Sequence, residues 1–351
     1  MALNSKLTGI CRELLRWYDQ NRRDLPWRRT RDPYAIWIAE TMLQQTRVAT
    51  ALPYYRRFVK AFPTLTALDQ APKNKVLALW SGLGYYRRAE NLKAAARKIA
   101  QEHGGRIPRN FQTLRDLPGI GAYTAGALMS IAYHQPYPAL DGNARRVLAR
   151  IFNVRRETDL RELGHLLVSR SRPGEFNQGL MDLGAAICLA RGPSCGRCPV
   201  ARFCLARRSG NFHRPSVTKA RQRVGNVEWP LALIVNNGRI LLRRRPEGVL
   251  LAGLWEVPGG KRKKGESSET TLARHLNGLG EQVQPLFFVE NLRHHITRYK
   301  IRAPLFACPD ATKVRLPDSR RRWVPLSSLR HYPLSSLSLK AIRLLKPIIR
   351  W

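Results

Sequence analysis

Four cysteines fall in one short stretch of the chain, Cys188, Cys195, Cys198 and Cys204, spaced C-x6-C-x2-C-x5-C. Only Cys11 and Cys308 lie elsewhere. Four thiolates this close can surround one metal ion or one cubane cluster, and either would tie down the local fold. A single knot of cysteines, in a chain whose residues 1–10 lack an apolar signal core, argues for reduced thiols over disulfides. Structural zinc sites usually present two close ligand pairs. Here only Cys195 and Cys198 form one, and the wider gaps suit a loop around a larger cluster. The spacing favours iron–sulfur and leaves zinc open.

Lys and Arg total 62 against 24 Asp and Glu, a net charge of +38. Such a surface repels itself unless it meets a polyanion, and nucleic acid is the leading partner. The basic residues are spread along the whole chain, not gathered on one amphipathic helix, and no apolar run reaches spanning length. A membrane is therefore not expected as a partner, and the cytoplasm, in association with the nucleoid, is the expected location.

The 351 residues leave room for two domains. Residues 1–208 read as a mostly α-helical domain, with 3.6-residue apolar spacing broken by Gly and Pro and the cysteine loop at 188–204. Residues 209–227 read as a polar, basic linker. Residues 228–351 read as an α/β or α+β domain. There the run 231–235, the turn Asn236-Asn237-Gly238 and the run 239–243 form a β-hairpin. More strands are expected near 286–290, 299–307 and 322–324, with helices over 271–276 and 338–345.

Within the helical domain, Gly119 and Gly121 sit between two helical segments in Leu-Pro-Gly-Ile-Gly-Ala-Tyr-Thr-Ala. They permit a tight turn whose following N–H groups can grip a DNA phosphate without reading sequence; a plain interhelical turn is the simpler reading. Asp141, just before a helix, is by default an N-cap. Glu40 lies in a mainly apolar stretch, where desolvation raises the pKa of a carboxyl and favours proton donation; a buried ion pair with Arg is its plainer role. One acid kept protonated and one left ionised is the pattern expected for glycosidic bond hydrolysis.

Together these pieces resemble the adenine DNA glycosylases of the MutY family, helix–hairpin–helix enzymes with a Nudix-like C-terminal domain. The resemblance is carried by segments 23–27, 40–46, 82–86, 117–126, 140–143 and 176–178, then the four cysteines, all in order. It implies a [4Fe–4S] cluster on the cysteines, holding a basic loop against DNA. It implies removal of adenine paired with 8-oxoguanine, or less readily guanine, from bent double-stranded DNA with the base flipped out. Glu40 matches the acid that protonates adenine, Asp141 the carboxylate that stabilises the oxocarbenium-like sugar, and Tyr123 and Asn143 their supports. Arg23, Trp27, Arg28, Leu43 and Gln178 match the adenine pocket; Gln45 and Tyr85 match residues inserted into the duplex. Tyr123 stands where endonuclease III-like enzymes carry a Schiff-base lysine, so base removal without strong strand cleavage is expected.

In the second domain, Gly260, Glu266 and Arg274 keep Nudix-like spacing, but His275, Gly278 and Leu279 stand where metal-binding glutamates are needed. A lesion-recognition module is expected instead of a pyrophosphatase. Thr297 and Arg298 occupy positions where the family commonly carries the Ser and His of its lesion-reading loop. A monomer is the default, since one lesion needs one pocket. The alternatives are a thymine–guanine mismatch glycosylase, which lacks a long C-terminal domain, and a mismatch-binding protein without catalysis.

Overall fold

The structure is a computed structural model. It describes residues 2–210, 212, 225–249, 251–276, 279, 286–296, 299–308, 311, 314, 316 and 319–345. The chain divides into two compact units, Met1–Gln70 with Asn91–Ala220, and Ala71–Glu90 with Arg221–Trp351. The segment 71–90 thus groups with the C-terminal unit, a difference from the contiguous helical domain expected over 1–208.

The first unit is helical. Its helices Ala2–Asn21, Gly142–Phe152, Glu157–Leu167 and Pro173–Ala186 share one core, filled by Ile10, Leu14, Leu148, Leu160, Phe176 and Leu183. The helix Pro33–Leu43 is buried at every residue from Tyr34 to Met42. Its sequence is apolar on all sides, so it has no face to offer water. Asp32 caps it, accepting from the N–H groups of Tyr34 and Ala35, and Pro33 supplies the preset first turn. Among the described residues no helix is long and apolar enough to cross a membrane.

The hairpin after Phe111–Arg115 turns through Gly119 at φ +77°, a left-handed conformation suited to glycine. A Cβ there would lie 2.7 Å from the Asn91 Cβ, so the backbone also needs the space. The following helix Ala122–Ala127 runs into a π-turn, Leu128–Ala132.

The second unit carries a mixed sheet of β1 (Gly225–Glu228), β2 (Leu231–Asn236), β3 (Arg239–Arg244), β4 (Trp255–Glu256), β5 (Phe287–Ile296), β6 (Tyr299–Cys308) and β7 (Arg321–Pro325). The main path is β1-β6-β2-β3-β4, with β5 on β6 and β7 on β3. β1 and β2 run parallel to β6, and the other pairs are antiparallel. The turn joining β2 and β3 has positive φ at both Asn237 and Gly238, the geometry that matches strand twist in a two-residue hairpin. β2 is buried on both faces. Leu231, Leu233 and Val235 pack towards the helix Ser336–Arg343, and Ala232 and Ile234 towards the helix Ser268–His275. That explains its unbroken apolar run. The stretch read as linker over 209–227 differs at its end. Residues 225–227 already form β1, through backbone pairing to β6 that needs no apolar pattern.

Candidate active site and cysteine loop

Glu40 is 4% exposed. The Tyr123 hydroxyl, from the hairpin helix, donates to its Oε2. Burial pushes the Glu40 carboxyl up to about 7; the Tyr123 bond opposes this, the Asp141 charge adds to it and the Arg28 charge opposes it. Burial also raises the Tyr123 phenol well above its ordinary value, and the charges of Glu40 and Asp141 reinforce the effect. Three elements thus bring Glu40, Tyr123 and Asp141 into one electrostatic neighbourhood.

Asp141 caps the helix Gly142–Phe152, its Oδ1 accepting from the Ala144 N–H at 2.7 Å. The Asn143 amide donates to its Oδ2 at 3.3 Å, and Asn143 Oδ1 accepts from Arg146 at 2.7 Å. Burial raises the Asp141 carboxyl, and the bonds from Ala144 and Asn143 hold that rise in check. The capping role and a catalytic role are compatible: the cap fixes one oxygen and orients the other. The helix Pro173–Ala186 crosses here at Gly184, where a Cβ would fall 2.6 Å from the Asn143 Cβ.

Asp182, on that crossing helix, has no counterpart among the sequence candidates. It is 3% exposed and accepts from Arg28 through both oxygens, at 2.6 and 2.9 Å, and from Arg23 Nε at 2.9 Å. Burial alone would lower the Arg28 pKa; the Asp182 bond and charge hold it above its ordinary value. Gln178, one turn earlier on the helix, is 8% exposed and accepts from the Tyr18 hydroxyl. Met181 lies between them, its sulfur 3.8 Å from the Tyr123 oxygen. Sequence reading had a signal for Asp182 in its position four residues after Gln178, on the same helix face. Trp27 is buried edge-to-face on Tyr55, with ring centroids 4.9 Å apart. Leu43 is half-buried at the end of its helix. Gln45 is exposed with φ +59°, and Gln44 beside it donates to the Thr124 hydroxyl. Gly121 is the N-cap of Ala122–Ala127.

Tyr85 belongs to the second unit. It is 45% exposed with φ +50°, an uncommon conformation for an aromatic residue. Within that unit the Ser81 and Tyr86 hydroxyls both donate to the Leu334 carbonyl, at 2.8 and 2.6 Å. Thr297 and Arg298 lie outside the described residues. Glu266 is bound by Arg274 through both oxygens and by the Lys263 N–H. The Arg274 bond, above all, holds its carboxyl down at about 2.

Cys188, Cys195, Cys198 and Cys204 line one cavity together, walled by Val147, Ile151, Leu183 and Val200. All four are partly buried free thiols. Burial pushes Cys198 up to about 11 and raises Cys204; a bound cation would reverse that preference. Among the described residues no group of three or more His, Cys, Asp or Glu is placed to hold a single metal ion. Four soft sulfur donors around a shared apolar cavity fit an iron–sulfur group in ligand chemistry. Arg150, 8% exposed, braces the loop. It donates to the carbonyls of Leu189 (2.6 Å), Ala190 (3.1 Å) and Phe212 (2.9 Å), and approaches the Cys188 sulfur at 3.3 Å.

Residues 38–170 match the model of the HhH-GPD superfamily of base excision DNA repair proteins, and residues 231–344 that of the NUDIX domain. An adenine DNA glycosylase of Rattus norvegicus is 38% identical over 311 residues, covering 72% of this chain and 60% of that protein. One of Buchnera aphidicola subsp. Schizaphis graminum is 39% identical over 253 residues, covering 70% of this chain and 73% of that protein. The chain therefore spans about three-fifths of the length of its mammalian relatives. A solved thermostable thymine-DNA glycosylase aligns at TM-score 0.57 with 34% identity, covering 60% of this chain and all of that one. The helical unit with its hairpin, the Nudix-like sheet after it and the 38–39% identity to adenine DNA glycosylases over 70–72% of the chain place the chain in the adenine DNA glycosylase family.

Proposed function

We propose that this protein removes adenine from double-stranded DNA where it is mispaired with 8-oxoguanine or guanine, as a monofunctional glycosylase. The observation that carries the reading is Glu40, fully buried, hydrogen-bonded by Tyr123 and poised near neutrality beside Asp141. A carboxyl with a pKa of about 7 can hold a proton for the leaving base at neutral pH and take one from water afterwards. Protonating the flipped adenine makes it a neutral leaving group, and the positive charge left on the sugar is met by Asp141. Asn143 and the Ala144 N–H keep Asp141 oriented. Arg23, Arg28 and Gln178, with Asp182 holding the two arginines, would line the pocket that reads the base. Tyr123 has no amine to form an imine, so the strand stays intact.

The hairpin at Gly119 and Gly121 would grip the backbone, and Gln45 and Tyr85 would enter the stack, both carried on strained, exposed turns. Cys188, Cys195, Cys198 and Cys204 would hold a [4Fe–4S] cluster. When bound, it would supply structural rigidity to the loop that bears Arg191, Arg197 and Arg202. The net charge of +38 supports tight binding that weakens steeply with salt. Monomeric action in the nucleoid completes the reading, with Thr297 and Arg298 reading the lesion.

The test is single-turnover adenine release from duplexes with A opposite 8-oxoguanine and A opposite G, with Arg298→His beside wild type. Fast release with preference for the lesion is expected. Release of thymine opposite guanine instead would favour the activity named for the solved thymine-DNA glycosylase. Binding of the mispair with no base released would refute catalysis.

A further inference from the structure

The turn that carries Tyr85 has two residues in a row in the left-handed region, Gly84 at φ +79° and Tyr85 at φ +50°. Glycine adopts this conformation freely, whereas an aromatic residue does so at a cost. The Ser81 and Tyr86 hydroxyls tie the chain on either side of Tyr85 to the Leu334 carbonyl. Those bonds hold the backbone of the turn. The contact to the ring itself comes from Arg88.

Arg88 lies in the first turn of the helix Arg87–Glu102 and is 9% exposed. Its guanidinium sits over two rings, 5.4 Å from the centre of Tyr85 and 5.3 Å from that of Trp80. Its Nη2 donates to the Gly84 carbonyl at 3.1 Å, and Trp80 Nε1 donates to the same oxygen at 3.1 Å. Trp80 is fully buried. A fixed indole thus anchors a buried cation, and the cation backs a ring that faces solvent.

Arginine is a costly choice at such a position. Burial pushes its pKa down to about 10, so the charge persists at neutral pH against the loss of hydration. An unbranched apolar side chain would fill the space without that cost. What the guanidinium adds is a flat cation that can lie against aromatic faces while donating to a carbonyl. The ring it backs is also the one with something to gain. A side chain that enters a base stack loses rotamer freedom on binding, unless it is already held in place.

We propose that Arg88 is a positioning residue for mispair recognition, holding the Tyr85 ring in the orientation in which it enters the duplex. The proposal rests on the reading in which Tyr85 is inserted into the base stack. Arg88 acts through that ring and not through a phosphate.

The experiment is a double-mutant cycle on duplex affinity with the full-length protein. The probe carries 2′-fluoro-2′-deoxyadenosine opposite 8-oxoguanine; the electron-withdrawing fluorine disfavours the cationic sugar, so the duplex is bound without being cleaved. Arg88→Met keeps the unbranched bulk and removes the cation, in wild type and in Tyr85→Ala. Expected is binding weakened about tenfold in wild type, within the range of a partly desolvated cation–π contact, and no further loss in Tyr85→Ala. Arg87→Met, at the exposed neighbour, removes the same charge and should weaken binding equally in both backgrounds, as general attraction to DNA does. Single-turnover adenine release by Arg88→Met at saturating protein should match wild type, which a general loss of folded structure would not allow. If Arg88→Met melts well below wild type, Arg88→Lys, which keeps the charge and loses the flat fork, is read in the same cycle. No loss in wild type, or an equal loss with and without the Tyr85 ring, overturns the proposal while Tyr85→Ala alone still binds weakly. Binding by Tyr85→Ala as tight as wild type overturns the insertion of Tyr85 and this proposal with it, so the two failures are told apart.

Discussion

Replacing Glu40 with Gln should stabilise the protein while abolishing adenine release. The gap between about 7 in the folded chain and the ordinary 4.5 is worth about 3 kcal/mol. The folded state holds the proton more tightly than the unfolded state, so between those pH values folding takes up protons and stability falls as pH rises. Above pH 7 the full cost of a buried charge is present; below 4.5 it is absent. Gln resembles the protonated acid at every pH and can still accept from Tyr123. Glu40→Gln should therefore gain about 3 kcal/mol at pH 8 and nothing near pH 4.5. For a helical unit of this size that is roughly 6–12 °C in Tm at the higher pH. Calorimetric melting at both pH values, following the transition of the helical unit, checks it. A gain equal at both pH values, or a loss at pH 8, would refute the argument that burial raises this carboxyl. Full adenine release by the variant would refute its role as proton donor.

Asp182→Asn should cost about 3 kcal/mol, because Arg28 is left buried with its charge uncompensated while the more exposed Arg23 can turn to solvent. The freed Arg28 charge should also lower the Glu40 pKa, moving the fall in adenine release to lower pH; an unchanged pH profile would separate the two groups. Arg28→Met with Asp182→Leu should recover most of the stability and none of the activity. Arg150→Met should loosen the loop at 188–190 at a cost of about 2–3 kcal/mol, since three carbonyls lose a charged donor. Limited proteolysis reads this directly, and unchanged cleavage over 188–212 would show that the cysteine loop holds itself.

The legible parts of this molecule were those that act through their neighbours in sequence. Asp141 before a helix, Gly119 in a tight turn and Asn237-Gly238 between apolar runs each express a local rule, and each sits where the rule puts it. Glu40 was legible for a related reason: the apolar residues on every side of it in sequence become the walls of its helix. Asp182 carried only the weak signal of its spacing from Gln178, because its partners Arg23 and Arg28 lie more than 150 residues away and an acid on a helix is usually solvated. β1 and β4 escaped notice because short strands without alternation are defined by the backbone they pair with. The grouping of 71–90 with the C-terminal residues was equally hidden, resting on hydroxyls and one carbonyl that no periodicity marks.

That carbonyl makes Leu334 a remote hinge-pin for the turn that carries Tyr85. Ser81 and Tyr86 flank the exposed ring, and both lean on one backbone oxygen some 250 residues downstream. A stop codon or a protease cut ahead of residue 334 would leave every helix of the first unit intact in sequence and yet cast this turn adrift. Loss of the C-terminal region should then register at the exposed Tyr85 ring as well as at any surface the lost residues themselves present.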